Sequence, residues 1–156
     1  MPLIDAVREY FSSEDWPVME TEDGVLETAF EGTTTAWPVR IHVFDEDARV
    51  VFISAFPAPV DDDLRSAVGE FCHRANFGLA IGNFELDYDG GEVRFRTSID
   101  VEGSTADQAM VRNVMVANVL TMDRYVPGLL AVLAGSDPAD AIEDVEEAPE
   151  PDDSAD

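Results

Sequence analysis

The segment from Asn76 to Gly103, NFGLAIGNFELDYDGGEVRFRTSIDVEG, constrains the fold more than any other stretch of this chain. It reads as two long strands joined by a tight turn at Gly90-Gly91, because two-residue glycine-rich links are the strongest short-range hairpin signal. With those glycines as the loop, Asp87 faces Arg94 and Glu85 faces Arg96 on one side of the ribbon. Leu86 meets Phe95 on the other side, where Phe84 and Thr97 also lie. Moving the loop back to Asp89-Gly90 keeps the faces but sets Asp87 against Glu92. That like-charge pairing costs a few tenths of a kcal/mol to ~1 kcal/mol, so the Gly90-Gly91 register is the predicted one.

The rest of the chain supplies partners for this ribbon. Leu3, Ile4, Val7, Tyr10 and Phe11 recur at helical spacing and predict a first helix ending near Ser13. Short extended segments follow over 16–21 and 25–31, separated by an Asp23-Gly24 turn. Trp37, Val39, Ile41 and Val43 alternate with Arg40, His42 and Phe44, the pattern of a half-buried strand. Pro38 has no N–H to donate, which predicts an edge or bulge at that end. Residues 49–56 are mostly apolar and read as a central strand. Asp61-Asp62-Asp63 opens a second helix, where carboxylates favour the positive end of the dipole. Its apolar face is Leu64, Ala67, Val68, Phe71, Cys72 and Ala75. After the ribbon, Thr105 and Gln108 form a capping box for a third helix with a wide apolar stripe. Pro127-Gly128 is expected to break or bend it.

This order, α-β-β-β-β-α-β-β-α, predicts an α+β domain: one mostly antiparallel, twisted sheet flanked by helices. The domain is expected over residues 1–135. From Ser136 onward there are ten acids and no basic residue, so 136–156 reads as an acidic, largely disordered tail after a short helix through Ile142 and Val145.

Charge narrows the function. Thirty-four acidic residues oppose nine arginines, there is no lysine, and the formal net charge is −25. Three explanations stand side by side: a solvated surface suited to a salty cytoplasm, the acidic tail, or mimicry of nucleic-acid charge. Binding to nucleic acid itself is disfavoured, since phosphate neutralisation needs an excess of basic side chains. The N-terminus, MPLIDAVREYF, lacks the pattern of a secretion signal, and no apolar run approaches the length of a membrane span. A cytoplasmic protein with no membrane partner is expected.

No residue set reads as a catalytic or metal centre. Cys72 is the only cysteine, which excludes an intrachain disulfide, and His73 beside it points about 100° away on a helix. His42 and His73 lie in different elements without a further ligand at zinc spacing. Asp87-Tyr88-Asp89-Gly90 lacks the glycine at position six and the glutamate at position twelve of a calcium loop, and reads as a turn. Gly78 and Gly82 fall within the first strand of the ribbon, where Gly82 suggests a bulge. Catalytic, cofactor-binding and metal-binding residues are therefore expected to be absent. One constellation remains. Arg40 and His42 on one strand, with Arg94 and Arg96 on another, would form an anion-receptive patch if the strands share a sheet face. Alternatively, Glu85, Asp87 and other carboxylates already neutralise them. Trp16, Trp37 and Phe44 have the same two readings, core packing or binding patch.

The segment 76–103, followed by NVLTMDRYVPGLLAVLAG over 118–135, resembles the YbjN family, called bacterial sensory transduction regulators. The resemblance extends over about residues 1–145 and is strongest from 72 to 135. It implies the fold of type III secretion chaperones, usually dimeric, and a non-enzymatic regulatory or chaperone-like role. It carries over no catalytic or cofactor residue. The expected partner is another polypeptide, engaged through a sheet edge or a hydrophobic patch by a homodimer. A small-anion sensor using the Arg40, Arg94 and Arg96 face is the alternative.

Overall fold

Alternating apolar residues build one side of the sheet. In the computed structural model, which describes residues 2–149, six strands pair in the order β1-β2-β3-β4-β6-β5, every neighbouring pair antiparallel. They are β1 (Met19–Glu20), β2 (Leu26–Glu31), β3 (Ala36–Phe44), β4 (Arg49–Ala55), β5 (Asn83–Leu86) and β6 (Val93–Asp100). Four helices accompany them: α1 (Leu3–Ser13), α2 (Arg65–Gly78), α3 (Gln108–Leu133) and α4 (Pro138–Glu147), with a 3-10 turn over Asp62–Leu64 leading into α2. The expected order is observed, and the strand read as central, β4, lies inside the sheet.

Val39 and Ile41 of β3, Val50 and Phe52 of β4 and Phe95 of β6 are fully buried on one face. Each is worth ~1.5–3 kcal/mol of transfer free energy on burial. The helices collect on that face: α1 lies against β3, α3 against β4 and β6, and α2 beside β5, while α4 closes over α2 and α3. Pro38 pairs with Ala29 of β2, so β3 is not an edge strand, but the β3–β4 ladder begins only at Val39–Ser54. A proline has no N–H with which to extend it.

The β5–β6 hairpin takes the register that charge pairing disfavoured. Glu85 faces Arg94, Phe84 faces Phe95 and Leu86 faces Val93, two residues displaced from the Gly90-Gly91 prediction. Asp87 and Glu92 do flank the loop, with the Asp87 amide donating to the Glu92 carbonyl at 2.9 Å. The clash does not arise because the two carboxylates are used elsewhere. Asp87 Oδ1 accepts from the Asp89 amide at 3.0 Å, and Glu92 pairs with Arg40 at 2.5 Å. Arg65 holds the loop by donating to the carbonyls of Tyr88 and Asp89 at 2.9 and 3.2 Å. Gly91, at φ 83°, packs against the Val60 backbone, where any side chain would collide. The first strand is also shorter than expected. Asn76–Gly78 finish α2, and Gly82 (φ 80°) lies in the link before β5, against Phe95 and Thr97, instead of in a bulge.

Two further differences concern α3. Its N-cap is Asp107, whose side chain accepts from the Met110 amide at 2.9 Å, not Thr105. The helix continues through Pro127 for 26 residues. Gly128 lets α4 and α2 close in: a Cβ there would stand 2.5 Å from Val145 and 2.8 Å from Phe71. That packing offsets the ~3 kcal/mol an interior proline costs. At this length and composition α3 would suffice to cross a bilayer, contrary to the sequence reading, yet its apolar side is packed into the core. α4 is the short helix expected through Ile142 and Val145, both buried, and it joins the body beyond residue 135. Residues 150–156 of the expected tail lie outside the described residues.

Candidate binding face of the sheet

With the helices on one side, the other face of the sheet is left without a covering layer, and the four expected site residues are brought together there. Arg40 lies opposite Ile53 of β4, which lies opposite Arg96 of β6. His42 follows on β3, and Arg94 lies opposite Ala55 and Glu85. Ile53 is only 4% exposed although no helix covers it. Its cross-strand neighbours on both sides are arginines, whose aliphatic stems can shield an apolar side chain.

Carboxylates already occupy the arginines. Glu85 receives Arg94 at 2.9 Å and also bonds Arg96, so one carboxylate holds two guanidiniums. Burial by itself raises the Glu85 pKa, but the hydrogen bonds from Arg94 and Arg96 outweigh it and hold the group below its ordinary value. Glu92, not Asp87, takes Arg40. His42 is pushed below its ordinary value, first by burial and then by Arg40, Arg94 and Arg96, so it is a neutral imidazole on this face at pH 7.

Both ends of the sheet are obstructed to a docking strand. At the β5 end, the Asn76 side chain takes the place of a neighbouring strand. Its Oδ1 accepts from the Phe84 amide at 2.6 Å and its Nδ2 donates to the Phe84 carbonyl at 3.0 Å. At the other end β1 is two residues long, and beyond it Trp16 Nε1 donates to the Ala29 carbonyl at 3.2 Å. Trp16 and the buried Trp37 belong to a run of ring contacts through Phe30, while Phe44 is exposed. The aromatic residues therefore divide between core and surface and do not form one patch.

Cys72 is buried, its thiol pushed up to about 12 by desolvation. Among the described residues no group of three His, Cys, Asp or Glu side chains is placed to hold a metal. The most elaborate polar cluster is internal. Asn118 of α3, fully buried, accepts from Ser54 Oγ at 2.5 Å and donates to the Phe52 and Phe95 carbonyls at 3.0 and 3.1 Å. It fastens the long helix to the two central strands. Asn118 was not singled out by the sequence pattern, although an asparagine within a wide apolar stripe was the available signal.

A six-stranded antiparallel sheet with helices on one face defines a chain of the type III secretion chaperone-like α+β fold. The solved YbjN of E. coli, described as a putative transcription regulator, superposes with a TM-score of 0.60 at 12% identity, covering 85% of this chain and 90% of that one. A chain of the HopA1–SchA chaperone–effector complex superposes at 0.52 and 14% identity, with the same coverage of 85% and 90%. The chain belongs to the YbjN family, described as "Putative bacterial sensory transduction regulator", whose profile matches residues 3–130. No curated protein matches it by sequence.

Proposed function

We propose that this protein is a non-enzymatic, cytoplasmic regulatory or chaperone-like protein that binds another polypeptide on the uncovered sheet face and acts as a homodimer. The uncovered face carries this reading. A sheet that leaves one face without helices, with both edges obstructed, offers a partner side-chain contacts more readily than strand addition. The fold shared with a chaperone of a chaperone–effector complex supports the same direction. A net charge of −25 disfavours nucleic acid as that partner.

Self-association has a separate candidate surface. Phe77 near the end of α2 is 97% exposed, and Ile81, four residues further on in the link to β5, is 56% exposed. Burying such residues against a second copy offsets the mutual repulsion of two acidic chains. Light scattering in 0.5 M salt is expected to give twice the 17.1 kDa monomer mass, and Phe77→Asp is expected to return the monomer. A wild-type monomer under these conditions contradicts the homodimer.

The small-anion alternative rests on a hollow of 400 Å³ walled by Arg40 and Arg94. An anion there would have to displace Glu85 or Glu92 from its arginine. Thermal stabilisation by an anionic metabolite, lost in the Arg94→Ala, Arg96→Ala double variant, would support this reading.

A further inference from the structure

Three neighbouring hollows, two on the uncovered face and one at its β1–β2 end, share lining residues and together outline a trough. The first, 480 Å³, is walled by Trp16, Pro17, Met19 and Ala29 and ends at Glu27. The second, 540 Å³, begins at Glu27, runs between Pro38 and the Phe56–Pro59 loop, and ends at Arg40 and Glu92. The third, 400 Å³, continues from that ion pair to Glu85 and Leu86. The middle hollow lies where the β3–β4 ladder stops at Val39–Ser54, with Pro38 and Ala55 in its lining. From β1 to β5 is five strand spacings, ~24 Å, which an extended peptide of about seven residues would span.

The chemistry of the trough selects its occupant. Its walls are proline, tryptophan and methionine, with Met19 72% exposed, so they take apolar side chains. Its arginines are ion-paired, Arg40 with Glu92 and Arg94 with Glu85, although the buried Nε of Arg40 has no hydrogen-bond partner among the described residues. Glu27 is directly opposite Arg40 across β2 and β3, yet Arg40 turns to Glu92, leaving Glu27 without an ion-pair partner among the described residues. Four carboxylates (Glu27, Glu85, Asp87 and Glu92) line the hollows together with Arg40 and Arg94, and Arg96 bonds Glu85 from the next position on the same strand face, which leaves a net excess of one negative charge. An acidic ligand or a second copy of this chain brings the wrong sign, whereas the whole-molecule charge of −25 draws a basic partner in.

We propose that the trough receives an extended, apolar and basic segment of the partner polypeptide, with a cationic side chain seated at Glu27 between the first two hollows. This rests on the polypeptide-binding reading and adds the partner's chemistry to it. The test uses the full chain and two fluorescein-labelled octapeptides, one alternating valine and arginine, the other with glutamine in place of arginine, by anisotropy in 150 mM salt. The arginine peptide is expected to bind more tightly. Glu27→Gln is expected to weaken it about threefold to fivefold, the scale of one exposed ion pair, and to leave the glutamine peptide unchanged. Glu9→Gln on α1 removes the same charge away from the trough and is expected to change neither. Equal binding of the two peptides, or equal losses in Glu27→Gln and Glu9→Gln, overturns the proposal while the polypeptide-binding reading stands. Binding of neither peptide overturns both.

Discussion

Glu85 holds the uncovered face together, since Arg94 and Arg96 would otherwise stand unneutralised beside each other on β6. Replacing it by glutamine is expected to cost about 1 kcal/mol at pH 7, measured by urea unfolding. The pH dependence has a fixed sign. Because the folded pKa of Glu85 is depressed, its contribution is complete above the unfolded carboxylate pKa and disappears as pH falls through the folded value. The gap between wild type and Glu85→Gln should therefore close on acidification; a gap that widened instead would contradict the ion-pair account. Asn118 is a second residue with a large expected effect. Asn118→Ala leaves the Ser54 hydroxyl unpaired and opens a cavity, at a cost of about 2–4 kcal/mol in the same measurement. At this scale the sequence showed the charges but not their partners. Asp87 and Glu92 looked like a clash because the reach of Arg40 across β4 is invisible in a two-strand diagram.

Among the elements, β5 shows how an edge is closed. Four residues long and last in the sheet, it is completed by an asparagine side chain eight positions earlier in the sequence. Unprotected edges invite pairing with other chains. Asn76→Ala is expected to speed hydrogen exchange at the Phe84 amide at least tenfold and to raise the tendency to associate at high concentration. An unchanged exchange rate would show that α2, and not the Asn76 side chain, shields the edge. Helices and strands were legible from periodicity: α1, β2, β3, β4 and the stripe of α3 were all expected close to where they lie. The failures came where tertiary contacts overrode local signals. Pro127 does not break α3 because Phe71 and Val145 pack against Gly128, and the end of the ribbon's first strand is claimed by α2.

At the scale of the whole molecule, net charge governs behaviour in solution. With a charge of −25 on 156 residues, self-repulsion destabilises the compact state wherever salt does not screen it. Raising sodium chloride from 0.05 to 1 M is expected to increase the melting temperature by about 5 °C or more, followed by circular dichroism. A melting temperature insensitive to salt would mean that the carboxylates are spaced widely enough to ignore one another. On the uncovered face Arg40, Arg94 and Arg96 are ion-paired with Glu92 and Glu85, so the negative charge there is reduced but not cancelled: Glu27 and Asp87 line the same hollows without an ion pair among the described residues.

The sequence by itself determined the element order, the antiparallel sheet, the family and the location of Arg40, His42, Arg94 and Arg96 on polar strand faces. These follow from period, turn chemistry and motif, which are local in the chain. Only the tertiary structure decided the hairpin register, the continuity of α3, the closure of the β5 edge and the pairing of Arg40 with Glu92 in place of Glu27. Each of these depends on which of several nearby groups captures a given side chain or backbone amide, and that competition is settled between segments distant in sequence.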